Sequence, residues 1–213
     1  MNSPTASGND AGGEASRPAA EPPAPPLHID SDGWLHASTA VLHRPSPNHD
    51  QRPGAEDPSL LVIHNISLPP GVFMGDAIID FFLNRLDISA DPWFENVRSL
   101  HVSSHFLIRR DGGIVQFVST LLRAWHAGAS CFQGRERCND FSIGIELEGT
   151  DVLPYTEAQY TSLHRLTAAL RQRHPLRWSQ GHEHIAPGRK TDPGPAFDWG
   201  RFTRETGLAN PTL

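Results

Sequence analysis

The chain has 213 residues, enough for one well-filled core, and its make-up of 38% hydrophobic and 20% charged residues is that of a soluble globular protein. A formal charge of -6 argues against a protein that binds nucleic acid by neutralising phosphates, and no stretch approaches the run of about 18 apolar residues that a membrane span needs. Two cysteines, Cys131 and Cys138, with no charged-then-apolar leader before them, point to a reducing, cytoplasmic setting with free thiols.

Residues 1–26 contain no Leu, Ile, Val or aromatic side chain and are dominated by Pro, Ala, Gly, Ser and Glu. Such a segment buries too little apolar surface to offset its ordering entropy, so a disordered tail is expected there, with the folded domain spanning 27–213. "SLLVIHN" (59–65) is a short continuous apolar run, the pattern of a strand buried on both faces, and it ends on His64 and Asn65. "GDAIIDFFLNRLD" (75–87) carries apolar residues at helical spacing, and "HFLIRRDGGIVQFV" (105–118) reads as a hairpin turning at Asp111, Gly112 and Gly113.

"SIGIELEG" alternates: Ile143, Ile145 and Leu147 share one face, while Ser142, Gly144, Glu146 and Glu148 share the other. "TEAQYTSLHRLTAALRQRH" opens with Thr156 and Gln159 in capping-box spacing and sets Tyr160, Leu163, Leu166 and Leu170 on one helical stripe. "FDWGRFTRE" (197–205) predicts a closing helix. Strands and helices interleave without a strict βαβα rhythm and include an antiparallel hairpin. The expected fold is therefore a single α/β domain, a mixed central sheet flanked by helices.

The chemistry concentrates in "GHEHIAPGRKTDPG" (181–194), whose prolines and glycines argue against a regular helix. His182 and His184, one residue apart, share a side in an extended conformation, and Asp192 follows after a turn. Two imidazoles and a carboxylate from separated segments, with an open fourth position, form the ligand set of a catalytic zinc site, while a solvated polar loop whose histidines cap neighbouring backbone fits the spacing equally; the spacing is not that of the helical HExxH motif. His64, at the end of a buried strand, is equally readable as a core histidine bonded to a carbonyl. Glu146 and Glu148 fit either a solvated edge or a general base, with Gly144 leaving room for a ligand. Lys190 fits either an ordinary surface cation or an oxyanion stabiliser.

Four stretches, "LLVIHNISLPPG", "RAWHAG", "GRERCNDFSIGIELEGTD" and "GHEHIAPGRKTDPGPAFDW", occur together and in order. On them the chain resembles the AmpD family of cytosolic N-acetylmuramoyl-L-alanine amidases, within the wider amidase type 2 and peptidoglycan-recognition fold, over about residues 33–204. The resemblance implies His64, His182 and Asp192 as ligands of one zinc ion, Glu146 as the group that activates water, and Lys190 as the stabiliser of the tetrahedral intermediate. It also implies Asn65, Trp125, His126 and Arg137 as substrate-groove residues, and it makes His184 a bystander. The implied reaction is hydrolysis of the amide between the lactyl group of 1,6-anhydro-N-acetylmuramic acid and L-alanine, in peptidoglycan recycling. The implied partner is then a small soluble muropeptide, with no nucleic acid or membrane, and the protein is expected to be a monomer. A peptidoglycan-binding module without activity, and a zinc deacetylase or peptidase, are the competing classes.

Overall fold

In a computed structural model of the chain, Met1 and residues 25–38, 40–54 and 57–212 are described; the predicted tail lies almost entirely outside them. From the N-terminus come strands β1 (Val41–His43), β2 (His49–Asp50) and β3 (Leu60–Ile66), then helix α1 (Ala77–Phe82). Two 3-10 turns, Ile88–Ala90 and Pro92–Val97, lead to β4 (Phe106–Ile108), β5 (Ile114–Gln116), β6 (Arg123–Ala124), β7 (Cys131–Phe132) and β8 (Arg135–Glu136). A third, Cys138–Asp140, precedes β9 (Ser142–Glu148), α2 (Glu157–Arg173), β10 (Trp178–Gly181), α3 (His182–Ile185) and α4 (Trp199–Thr206).

Six strands form one mixed sheet in the order β1-β5-β4-β9-β3-β10. β4, β9, β3 and β10 run parallel, and the β4-β5 pair is antiparallel, as the hairpin reading required. Its turn is closed by Arg109 N–H to the Gly113 carbonyl, with Gly112 at a φ of +86° that only glycine adopts readily.

The period-2 patterns sort the side chains as expected. Leu61 and Ile63 of β3 and Ile143, Ile145 and Leu147 of β9 face one core, where Leu163, Leu166 and Leu170 of α2 and Phe202 of α4 cover them. Each such side chain contributes about 1.5–3 kcal/mol by leaving water. On the opposite face Leu107 and Val115 pack with Ile78, Ile79, Phe82 and Phe94, and Leu60 and Val62 pack with Phe132, Phe141 and Ile185. The even-numbered face of β9 is not a solvated edge: all seven of its residues are buried, and the strand lies inside the sheet.

Three further details depart from the sequence reading. The helix expected over 75–87 spans only Ala77–Phe82, because Leu83 leaves helical geometry and Asn84 takes a φ of +57°. The loop opening at Gly181 begins with one helical turn, α3. Gly144 makes room for a side chain rather than a ligand: a Cβ there would stand 2.6 Å from the His126 ring.

Candidate metal centre and active site

β3, β9 and β10 run parallel, and their C-terminal ends lie side by side where helices and loops take over, the usual place for a site in an α/β sheet. His64 is opposite Glu146 in the β3-β9 register, and Gly181, the last residue of β10, hands the chain to His182 at the start of α3. The chain then loops through Lys190 to Asp192, whose carbonyl accepts the Glu183 N–H at 2.8 Å and closes the loop at its base.

Three ligand atoms converge. His64 Nδ1 lies 3.0 Å from His182 Nδ1 and 3.0 Å from Asp192 Oδ2, and His182 Nδ1 lies 3.1 Å from the same oxygen. Bonds of about 2.0–2.2 Å to a tetrahedral zinc would set ligand atoms about 3.3–3.6 Å apart, so the observed triangle is slightly contracted but of the right size. The donors also fit chemically. His182 Nε2 sits 3.1 Å from the Ala127 carbonyl, so that nitrogen carries the proton and Nδ1 offers its lone pair. Two imidazole lone pairs and a carboxylate this close repel one another unless a cation or proton lies between them. Among the described residues this is the one group of three or more His, Cys, Asp or Glu side chains so placed.

His64 is fully enclosed, and burial together with the neighbouring His182 brings its pKa down to about 4, so the ring is neutral at physiological pH. Burial works to raise the Asp192 carboxyl, but its close contacts with the His182 and His64 rings outweigh it and hold the group far below the usual carboxylate range. A neutral His64 imidazole beside a carboxylate leaves the centre suited to a divalent cation.

His184 does not join them. It accepts the Gly181 N–H on Nδ1 at 3.1 Å and packs at a tilt against Trp199, with ring centroids 5.7 Å apart. The extended-chain expectation fails because successive residues of α3 turn about 100°, which places residues 182 and 184 on nearly opposite sides.

A cavity of about 610 Å³ opens on the centre. His64, Glu146, His182, Lys190, Asp192, Asn65, Trp125 and His126 line it, and so do Phe81, Trp93 and Leu100. Glu146 is 8% exposed, and its buried Oε2 has no hydrogen-bond partner among the described residues. Burial and then the Asp192 charge push its carboxyl well above the usual range, against a smaller opposing effect of Lys190. Glu148, its neighbour on the same face, is spoken for: it accepts from the Met74 and Arg110 backbone N–H groups at 2.5 and 3.0 Å. Asn65 donates to Asp151 Oδ1 at 2.8 Å and to the Pro193 carbonyl at 3.1 Å, which ties the end of β3 to the segment after Asp192.

Arg137 stands apart from the other eight predicted site residues. It lies in a separate depression with Cys131, Glu136 and Arg189, pairs with Asp140 at 3.3 Å and does not line the cavity. The structure adds side chains that no spacing signalled. Asp151 and the apolar wall of Phe81, Trp93 and Leu100 come from separate segments, and His105 holds the Gly144 N–H on Nδ1 at 3.0 Å.

The N-acetylmuramoyl-L-alanine amidase family profile matches residues 54–195, the segment that carries every one of these side chains. The chain is 58% identical over 173 residues to the 1,6-anhydro-N-acetylmuramyl-L-alanine amidase AmpD of Citrobacter freundii, covering 80% of this chain and 91% of that protein. The crystal structure of a selenomethionine AmpD derivative superposes with a TM-score of 0.78 at 54% identity, over 85% of this chain and 99% of that one. The Escherichia coli amidase AmiD, solved in complex with the substrate anhydro-N-acetylmuramic acid-L-Ala-D-gamma-Glu-L-Lys, is 27% identical with a TM-score of 0.53, over 86% of this chain and 66% of that one. With the profile covering most of the folded chain and the sheet and helices shared, this protein belongs to the AmpD family of N-acetylmuramoyl-L-alanine amidases.

Proposed function

We propose that the enzyme hydrolyses the amide joining the lactyl group of 1,6-anhydro-N-acetylmuramic acid to L-alanine, that it requires one zinc ion per chain, and that it works on soluble muropeptides in the cytoplasm. The observation that carries this reading is the convergence of His64, His182 and Asp192 within 3.1 Å of one another on the cavity that also holds Glu146, whose Oε2 has no hydrogen-bond partner among the described residues. The substrate follows from the names of the relatives, an anhydromuramyl-L-alanine amidase at 58% identity and AmiD with an anhydromuramyl peptide. No helix among the described residues is long and apolar enough to cross a membrane, and both cysteines are free, which accords with a cytoplasmic setting.

His64, His182 and Asp192 would hold the zinc, which when bound would supply Lewis acidity and lower the pKa of a bound water to about 7. Glu146 takes the proton of the attacking water and hands it to the leaving nitrogen of L-alanine. Its raised proton affinity suits it to both halves of that transfer. The Lys190 ammonium, on the same cavity, stabilises the negative charge that develops on the carbonyl oxygen. Asn65, fixed by Asp151 and Pro193, and Trp125 are positioned to orient the substrate, while Phe81, Trp93 and Leu100 offer a dry wall to its sugar.

Purified protein should carry about one zinc per chain and release the tripeptide from anhydromuramyl-tripeptide, with activity lost to a chelator and restored by zinc. Glu146→Ala and Lys190→Ala should each retain the metal yet lower turnover by roughly 10²-fold or more. Mass spectrometry of the products, with intact N-acetylmuramyl-peptide run in parallel, checks this. Release of acetate, or cleavage within the peptide, would assign a different reaction.

A further inference from the structure

The two imidazole ligands lie 118 residues apart in the chain, yet their outward nitrogens meet adjacent residues. His182 Nε2 donates to the Ala127 carbonyl at 3.1 Å, and His64 Nε2 lies 2.9 Å from His126 Nδ1. With His64 Nδ1 turned to the ligand cluster, its proton sits on Nε2 and is donated to His126. The His126 proton then sits on its own Nε2, which reaches Ser142 Oγ at 3.3 Å. The His126 ring stands edge-on to His64, with centroids 5.0 Å apart and an interplanar angle of 89°. It is 9% exposed, so little of it is available to a substrate.

The segment is itself held from several sides. Asn139 Oδ1 accepts the backbone N–H of both His126 and Ala127, at 3.2 and 2.8 Å. Arg189, next to Lys190 on the ligand loop, donates to the Ala127 carbonyl at 2.8 Å. Behind the ring, glycine at 144 is required, since any Cβ would come within 2.6 Å of it.

We infer that residues 126–127 form one orienting platform for both imidazole ligands, and that His126 is a positioning residue for His64, not a substrate contact. This rests on the zinc reading of the centre. A ligand imidazole whose second nitrogen is pinned presents its lone pair in one direction and one tautomer, and losing such a partner commonly weakens metal binding by about 10–100-fold.

The measurement is zinc affinity by competition with a chromophoric chelator, with the visible spectrum of the cobalt-substituted protein as a second readout. His126→Ala should weaken zinc binding by about 10–100-fold and alter the cobalt bands. His126→Asn, whose side-chain oxygen can take the place of Nδ1 as acceptor, should recover most of that loss. Gly144→Ala, which keeps the imidazole but displaces it, should reproduce the defect. Wild-type protein supplies a test independent of any variant's folding: nitrogen NMR of the zinc-loaded enzyme should find His64 and His126 both protonated on Nε2. Unchanged zinc affinity and cobalt bands in His126→Ala, with a raised KM for anhydromuramyl-tripeptide, would overturn the inference, as would a proton on His64 Nδ1. Wild-type protein that binds no zinc would instead overturn the underlying reading of the centre.

Discussion

At the scale of single residues, the centre shows which choices spacing can settle and which it cannot. Residue types narrowed the ligands to His64, His182, His184 and Asp192, but the two histidines of "HEH" are equivalent in a linear reading. About half a turn of helix separates them: His182 meets His64 and Asp192, while His184 accepts from Gly181 and packs on Trp199. His184→Ala should therefore keep one zinc per chain by metal analysis and lose at most a few-fold in turnover; a metal-free variant would return His184 to the ligand set. Glu146 and Glu148 divide in the same way. Both are buried on one strand face, but the backbone donors that occupy Glu148 come from Met74 and Arg110, distant in sequence and invisible to any pattern. Which histidine faces the centre and which glutamate lines the cavity are both decided by what the other segments bring.

At the scale of elements, legibility followed how local the controlling interaction is. The capping box that starts α2 was readable because both partners lie within one turn: Gln159 N–H donates to Thr156 Oγ1, and Gln159 Oε1 accepts the Thr156 N–H, each at 3.1 Å. The early end of α1 was not, since nothing in its apolar spacing anticipates the left-handed Asn84, whose amide exchanges hydrogen bonds with Asn48 at 2.8 and 2.9 Å. The two-residue strands β2 and β6 also escaped the pattern, being too short for periodicity. Arg123 at their junction binds Asp50 and Asp140, and its hydrogen bonds hold the Asp50 carboxyl below its ordinary range. A carboxyl with a depressed folded-state pKa stabilises the fold above its unfolded value of about 3.9, and that contribution disappears as pH falls through the folded value. Asp50→Asn should thus be less stable than wild type near neutral pH, and the gap should close below about pH 4 in urea titrations at stepped pH. A gap that persists unchanged would assign the loss to hydrogen bonding rather than charge.

At the scale of the molecule, the sheet separates the work of holding the fold from the work of the site. The face under α2 and α4 is an apolar core with Leu166 fully enclosed, while His64 and Glu146 belong to the opposite side of the same strands. Leu166→Ala should cost about 2–5 kcal/mol in urea unfolding yet leave zinc content and turnover near wild type at low temperature. A parallel loss of metal would show that the two faces are coupled. The hydrogen bond from Glu183 N–H to the Asp192 carbonyl carries a further implication for how the chain can vary. It pins the base of the loop that carries His182 and Asp192, so the distance between those two side chains depends little on the length of chain between them. The tip bulges into open space at Gly188, where a side chain would meet nothing within 4 Å. Closure entropy grows only with the logarithm of loop length, roughly 0.6 kcal/mol per doubling. Residues inserted at that tip would enlarge the rim beside Lys190 at small cost, making this the place where reach towards longer substrates can change while the ligand geometry stays fixed.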